Sequence, residues 1–545
     1  MNLVDGLREV AARRSGHGVH ILRRGEETAA LTYEELHDEA GRTAAGLVSR
    51  GVAPDDRVAL VLPTSLDFAR ALFGVLAAGA VAVPLPEPPA FGSSRSYLNR
   101  TALALRRSQV RTVLARGSAV AVLSDLLADE PVTVLDAAGV TAGHAVHMPR
   151  DGGDAALVQY TSGTSADPRG VVLSHDNLAA GAANIADGTR LTSDDIGCTW
   201  LPLFHDMGLI GSFLTPLLHD ADIYLQRPQD FLWDPLGWIR SIGRLGATFT
   251  MAPNSGYQYV LRRGGDAGSL DLSRWRIAVN GAEPVDRALQ DEFTARFGLR
   301  PGVFMPAYGL AEATLAVTLA SLGRPTTTLR ASRAALGRGV LETPVSANEP
   351  YRELVSVGTS VSRTEIRLTD AAGRTLPERC VGRIEVRGPS VTATGYDHDQ
   401  AATRRTLLND GWIATGDLGL RHNGELYVVG RAKETIIVFG ANHWASDIED
   451  VVRRATDPAK VHGILAHQFD GDEGSGLGLV IESTERDPAA REVMSRGISR
   501  ALTDQLGITP RRLTYLGRGD IPRTSSGKII RRHAEETAQV VVAWA

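Results

Sequence analysis

The pattern of apolar and polar positions near the start of the chain alternates between two periods. Thr32-Tyr-Glu-Glu-Leu36 opens a helical pattern that continues through Ala44, Ala45, Leu47 and Val48, and Thr32 and Glu35 have the spacing of a capping box. A short apolar run follows, Val58-Ala-Leu-Val-Leu62, then a second helical pattern over 68–78, then Val81-Ala-Val83. Strand-length apolar runs alternating with helices are what a parallel sheet covered on both faces requires, because its strands are buried on both sides. The pattern predicts an α/β fold.

A proline-rich break, Pro84-Leu-Pro-Glu-Pro-Pro-Ala90, ends this first unit, and helix and strand patterns continue to about residue 150. A further irregular stretch is expected over 325–352. Strand-like alternation then returns in Thr364-Glu-Ile-Arg-Leu-Thr369 and Arg383-Ile-Glu-Val-Arg387, which predicts a β-rich subdomain. From about 434 the pattern is shorter and mixed, with a strand in Thr435-Ile-Ile-Val-Phe439 and a helix starting near Ser446. The main boundary is therefore placed at 430–433. It separates a large N-terminal domain of stacked α/β subdomains plus the β-rich subdomain (1–430) from a small α+β C-terminal domain (434–545).

At 545 residues, more than one domain is expected from length alone. The net charge of −5 and the absence of a basic cluster disfavour nucleic acid as a partner. Two cysteines, Cys198 and Cys380, make neither a disulfide framework nor a cysteine-rich zinc site, which fits a reducing compartment. No apolar stretch has the length of a membrane span and the N-terminal residues include acids, so a cytoplasmic protein is expected. Lysine is scarce. Of the 58 Lys+Arg residues only Lys433, Lys460 and Lys528 are lysine; Lys433 and Lys528 fall in motifs where a compact charge on a flexible stem has a use that arginine fills poorly, and Lys460 matches no motif and is read as surface.

Lys528 closes Ile521-Pro-Arg-Thr-Ser-Ser-Gly-Lys528, and Lys433 lies in Gly430-Arg-Ala-Lys-Glu434. A second polar loop, Tyr160-Thr-Ser-Gly-Thr-Ser-Ala-Asp-Pro-Arg-Gly170, sits between two apolar runs. Backbone N–H groups and hydroxyls in such a loop can wrap a polyphosphate, with Arg169 adding charge, although alone the pattern also suits a plain turn. It is not a Walker A loop, because Val171 follows Gly170 where Lys-Ser or Lys-Thr would stand.

Other segments accompany it in a fixed order: Trp200-Leu-Pro-Leu-Phe-His-Asp-Met-Gly-Leu-Ile-Gly211, Ala252-Pro-Asn254, Asn280-Gly-Ala-Glu-Pro284, Ala307-Tyr-Gly-Leu-Ala-Glu-Ala-Thr314 and Thr415-Gly-Asp-Leu-Gly419. The series resembles the adenylate-forming superfamily of acyl-CoA synthetases, luciferases and adenylation domains. The wording of the segments beginning at Trp200, Asn280 and Ala307 resembles the fatty acyl-AMP ligases within it. The likeness runs from Thr32 to about Arg532.

The resemblance implies activation of a carboxylic acid, expected to be a fatty acid, by ATP and Mg²⁺ to acyl-AMP with release of pyrophosphate. It implies transfer of the acyl group to the phosphopantetheine of a carrier protein, a separate one since no carrier domain follows before Ala545. The role implied would be that of a stand-alone loading enzyme for a polyketide or peptide-synthetase line.

Carried over residue by residue, the likeness makes Lys528, Arg431 and Glu312 the catalytic candidates. Lys528 is the cation for the transition state, and Glu312 holds Mg²⁺ with the phosphates. ATP is expected against Thr161, Ser162, Gly163, Thr164 and Ser165. Tyr308 and the backbone of Gly281, Ala282 and Glu283 would flank the adenine, with Asp417 on the ribose and Arg431 nearby. His205, Asp206, Met207 and Gly208 are expected in the acyl pocket, and Lys433 in a hinge at 431–433 about which the C-terminal domain moves. The stretch at 325–352 stands where fatty acyl-AMP ligases carry an extra segment.

Two positions depart from the family pattern. Trp444-Ala445 replaces a Tyr-Pro pair on the thiol-delivery face, and Ser255 and Gly256 stand where bulkier residues are common. Three alternatives remain open at this stage. They are an acyl-CoA ligase, adenylation of an aryl or amino acid with transfer to an amine, and an inactive adenylate-binding module. The last is disfavoured by the joint presence of Lys528, Glu312, Asp417 and Arg431.

Overall fold

A computed structural model describes residues 2–88, 94–161, 169–263, 270–346, 349–438, 441–471, 474–521, 523 and 529. The capping box forms as expected. Thr32 accepts from the Glu35 backbone N–H, the Glu35 carboxylate accepts from the Thr32 N–H, and the helix runs Tyr33–Val48. Its apolar face packs on the helix Leu66–Ala77, and both lie on strands at the heart of the largest core, with Leu36, Leu60, Phe68 and Phe73 buried together.

Two large sheets carry the N-terminal part. One has six strands in the order Thr133–Asp136, Thr112–Ala115, Arg57–Val61, Val81–Pro84, Ala155–Tyr160, Gly170–Ser174. It is parallel except for its last pair, the two strands on either side of the Ser/Thr/Gly loop, which are antiparallel. The other has nine strands with a parallel centre that includes Phe249–Ala252, Ile277–Asn280 and Phe304–Leu310. A separate four-stranded antiparallel sheet, Glu365–Thr369, Gly382–Arg387, Ile413–His422, Glu425–Arg431, is the β-rich subdomain.

A 3₁₀ turn, Ala432–Glu434, follows directly. Beyond it the hairpin Thr435–Val438 with Ala441–Trp444 and a three-stranded sheet pack against the helices Ala445–Arg454 and Pro488–Leu506 around their own core of Ile448, Val452, Leu479 and Ile498.

The stretch at 325–352 is more ordered than its sequence pattern suggests. Thr328–Ser332 pairs antiparallel with Tyr351–Val355, and a short helix, Arg333–Gly337, follows the first strand. Local periodicity is too brief to announce either strand. What orders the segment is burial of Ala331, Leu336, Leu341 and Leu354 against Leu420, Tyr427, Val429 and Trp444, which come from two other parts of the chain.

The same segment reaches the C-terminal part through charge. Asp447 takes Arg333 Nη1 on one oxygen at 3.0 Å and Arg352 Nε on the other at 3.0 Å. The two guanidiniums also donate to the carbonyls of Tyr351 and Val429, and Arg352 lies over the Trp444 ring, 5.8 Å from its centre.

Two predictions follow from this packing. Asp447→Ala strands two largely buried guanidiniums, and breaking a buried pair by removing one partner typically costs about 3–5 kcal/mol; urea unfolding followed by circular dichroism measures the loss.

The second concerns His175, at the start of the helix His175–Thr189. Burial, with the Arg150 charge adding, lowers its pKa from 6.5 to about 4, and its neutral Nδ1 accepts from the Leu3 N–H at 3.3 Å. Because the folded pKa lies below the unfolded one, between pH 6.5 and pH 4 the unfolded chain binds a proton that the folded chain refuses. Stability is therefore lost as pH falls through this window, by roughly 3 kcal/mol. His175→Asn should flatten that part of a stability-against-pH curve.

Candidate functional site

A cavity of about 2390 Å³ opens where the nine-stranded sheet, the four-stranded sheet and the C-terminal part meet. One wall is built by strand register. Asp417 and Arg431 are direct partners on neighbouring antiparallel strands, so their side chains share a face, and Arg431 Nε stands 3.1 Å from Asp417 Oδ1. From the other sheet, on Phe304–Leu310, the Tyr308 hydroxyl donates to Asp417 Oδ2 at 2.7 Å. Burial raises the Asp417 pKa, with Arg431 and Tyr308 pulling the other way. Burial also pushes the Tyr308 hydroxyl well up, and the Asp417 charge adds to it, so the tyrosine stays a donor.

Gly281, Ala282 and Glu283 line the cavity just past the strand Ile277–Asn280. A Cβ on Gly281 would come within 3.0 Å of the Ala307 carbonyl, so the chain passes the neighbouring strand closely here. Ala282 has φ +65°, a left-handed conformation that costs an alanine about 1–2 kcal/mol. The Glu283 carboxylate is engaged by Ser255, accepting from its N–H at 2.8 Å and its hydroxyl at 3.0 Å, so its side chain anchors the helix Asn254–Arg263.

Glu312 sits in the 3₁₀ turn Ala311–Ala313, followed by Thr314 and Leu315 at φ +50° and +81°. Thr314 is fully buried and its hydroxyl donates to the Ser390 carbonyl at 2.5 Å, which holds the strained turn in place. Burial raises the Glu312 pKa, while a hydrogen bond from the Tyr396 hydroxyl at 2.5 Å opposes the shift and the Asp206 charge adds to it. Among the described residues no three histidines, cysteines or carboxylates cluster as a self-sufficient metal site. A single buried carboxylate fits Mg²⁺, which binds through one or two carboxylates and completes its shell with phosphate oxygens and water.

His205 and Asp206 line the cavity with their ring nitrogen Nδ1 and carboxylate Oδ1 2.7 Å apart. Asp206 caps a π-helix, Met207–Leu214, a rare form found mostly at functional sites. Met207 also lines the cavity, among Ile185, Met251, Val279 and Leu319, which form an apolar branch. Gly208 does not: a Cβ there would lie 2.3 Å from the Pro202 carbonyl, so this glycine serves backbone packing behind the pocket. Ser255 lines the cavity, whereas Gly256 packs under Trp200, whose ring a Cβ would meet at 2.7 Å.

Thr161 and Lys433 line the cavity too. Ser162, Gly163, Thr164, Ser165 and Lys528 lie outside the described residues. Lys460 pairs with Glu485 on the surface and is not among the residues that line the cavity. Sequence reasoning missed Tyr396. It is separated from Glu312 by 84 positions, and only the fold brings the two together.

A family model described as AMP-binding enzyme matches residues 7–396. The chain belongs to the AMP-binding enzyme family. Medium-chain-fatty-acid acyl-carrier-protein ligase JamA of Moorena producens is 34% identical, over 94% of this chain and 90% of its own. The long-chain-fatty-acid AMP ligase FadD26 of Mycobacterium marinum is 31% identical, over 92% of this chain and 90% of its own. A structure from a study of fatty acyl-adenylate ligases of E. coli and L. pneumophila superposes with TM-score 0.92 at 32% identity, covering 100% of this chain and 99% of that one. A second, a fatty acyl-adenylate ligase from L. pneumophila in complex with acyl adenylate and pyrophosphate, gives TM-score 0.75 at 29% identity over 98% of this chain and 95% of that one. Among the described residues of this AMP-binding enzyme, no helix is long and apolar enough to cross a membrane.

The Tyr308–Asp417 contact makes a direct prediction. Tyr308→Phe removes a hydrogen bond to a buried charged acceptor, worth about 1.5–3 kcal/mol, and guanidinium unfolding should show a loss of that size; a loss appearing in Asp417→Asn but not in Tyr308→Phe would mean that Arg431 alone sustains the carboxylate.

Proposed function

We propose that this AMP-binding enzyme activates a fatty acid with ATP to acyl-AMP, releasing pyrophosphate, and transfers the acyl group to the phosphopantetheine thiol of a separate carrier protein. The observation that carries the reading is the convergence on one cavity of an apolar branch, a buried carboxylate at Glu312 and the Tyr308–Asp417–Arg431 junction. The carrier assignment rests on the relative named as an acyl-carrier-protein ligase.

In this reading a carboxylate oxygen of the fatty acid attacks the α-phosphorus, the bond to the β-phosphate oxygen breaks, and pyrophosphate leaves. Both partners are anions, so the site must supply positive charge that is better used in the transition state than in the ground state. Mg²⁺ bound to the nucleotide would spread the charge developing on the phosphates.

Glu312 would hold that ion, and Lys528 would bring a cation to the reacting phosphate. Asp417 accepts from the ribose hydroxyls, kept in place by Tyr308 and Arg431. Tyr308 and the backbone of Gly281, Ala282 and Glu283 flank the adenine, and Thr161 to Ser165 cradle the phosphates. His205, Asp206 and Met207 border the acid's carboxylate end, with the chain running into the branch of Ile185, Met251 and Leu319. The 3₁₀ turn with Lys433 would serve as the pivot between residues 1–430 and 434–545, moving the C-terminal domain for thiol transfer.

The test is carboxylate-dependent pyrophosphate release with ATP and Mg²⁺ across fatty, aryl and amino acids, followed by addition of CoA or a holo carrier protein. Release with fatty acids and acylation of the carrier alone is the expected result. Efficient CoA thioester formation, or release only with aryl or amino acids, would overturn the acceptor or substrate assignment. In the same assay Lys528→Ala should lower adenylation by about 10²–10³-fold while ATP binding persists; unchanged pyrophosphate release would remove this lysine from the mechanism.

A further inference from the structure

The segment Gly388–His398 leaves the four-stranded sheet and runs back to the edge of the six-stranded one. Three contacts tie it there and a fourth ties it to the Glu312 turn. The Val172 N–H donates to the Gly395 carbonyl at 2.9 Å, the Asp397 N–H donates to the Gly170 carbonyl at 2.8 Å, Thr392 donates its hydroxyl to the Val172 carbonyl at 2.6 Å, and its N–H donates to the Glu312 carbonyl at 2.8 Å. Tyr396 thereby forms an antiparallel bridge with Val171, on the strand that leaves the Ser/Thr/Gly loop. Its own N–H donates to Thr403 Oγ1 at 3.0 Å, and Gly395 takes φ +83° with Thr403 so close that a Cβ would lie 2.6 Å from it.

The Tyr396 side chain, held from both ends in this way, spans two charged groups of the cavity wall. Its hydroxyl donates to Glu312 Oε1 at 2.5 Å. Its ring face receives the Arg169 guanidinium, 5.8 Å from the ring centre, and Arg169 is steadied from behind by Asp399 at 3.5 Å. All three side chains, Arg169, Glu312 and Tyr396, line the cavity. With one carboxylate oxygen held by the hydroxyl, the Glu312 carboxylate is restrained at the cavity wall.

We propose that Tyr396 is a positioning residue that orients the Glu312 carboxylate toward the metal–nucleotide and, through its ring, places Arg169 at the exit of the phosphate loop. Hydroxyl partners that orient a ligating carboxylate typically matter 10–100-fold for metal affinity or activity. The proposal deepens the adenylation reading and rests on it.

The experiment uses the full-length enzyme, with Mn²⁺ as the probe. Binding of Mn²⁺–ATP is followed by the electron paramagnetic resonance of free Mn²⁺, and pyrophosphate release is measured as a function of Mg²⁺ concentration, in wild type, Tyr396→Phe, Glu312→Gln and the double variant. Tyr396→Phe should weaken Mn²⁺–ATP binding and raise the half-saturating Mg²⁺ concentration by about tenfold, with the rate recovering at high Mg²⁺. A variant damaged only in folding would lose rate at every Mg²⁺ concentration instead. In the Glu312→Gln background the same substitution should have little further effect, because the carboxylate it orients is gone.

An unchanged Mg²⁺ requirement and Mn²⁺–ATP affinity in Tyr396→Phe overturns the proposal, as does a full additional loss in the double variant. If Tyr396→Phe does not fold, Thr403→Val, which frees the tyrosine's backbone anchor, should show the same rise in Mg²⁺ requirement, and its absence overturns the proposal. Failure of the wild type to release pyrophosphate with any carboxylic acid sinks the adenylation reading itself, a result distinct from any difference between wild type and variants.

Discussion

Keeping carboxylates available inside a buried cleft is the constraint on which the site depends. Desolvation raises the pKa of both Asp417 and Glu312, so each needs donors at short range. Neither set of donors is wholly local. Asp417 is met by Tyr308 from the nine-stranded sheet and by Arg431 across its own ladder, and Glu312 by Tyr396 from the segment that returns to the six-stranded sheet. The two acids thus join three sheets to one another, and the cavity wall keeps its shape only while those sheets stay in register.

Backbone strain gathers around the same wall. Ala282 and Thr314, in the two motif segments that line it, and Leu315 just after the second all hold left-handed φ, and the π-helix begins directly after Asp206. Such conformations persist where surrounding structure over-determines them. The buried Thr314 hydroxyl on the Ser390 carbonyl and the Ser255 clasp on Glu283 are the visible constraints. They let the chain turn backbone atoms and Glu312 toward the cavity.

The C-terminal part meets the rest through Asp447 and Trp444. A carboxylate shared by two guanidiniums has a net cost or gain that depends on geometry, yet it specifies one orientation strongly, because any shift leaves a charge without a partner in a poorly solvated place. Trp444 packs beside Gly430, where a Cβ would come within 2.8 Å of the indole, and among Leu354, Leu420 and Val429. The departure from the Tyr-Pro pattern at Trp444-Ala445 therefore has a structural counterpart, an indole seated against the segment at 325–352.

Elements with strong local signals were legible from sequence. The capping box at Thr32, the buried strand Arg57–Val61 and the alternating strands of the β-rich subdomain all follow from propensity and periodicity acting over a few residues. The motif order likewise identified the family, and placed Glu312, Tyr308, Asp417, Arg431 and His205 in segments that the fold brings to one cavity. Other features depended on distant parts of the chain. Gly208 belongs to a motif but packs behind the pocket, the hairpin at Thr328–Ser332 and Tyr351–Val355 is ordered by a core it shares with Trp444, and Tyr396 reaches Glu312 from 84 positions away. The sequence by itself determined which residues can do phosphate and carboxylate chemistry, because that depends on side-chain type and short-range pattern. Only the tertiary structure decided which of them face the cavity and which second partners hold them there, because orientation is set by packing and hydrogen bonds between strands far apart in the chain.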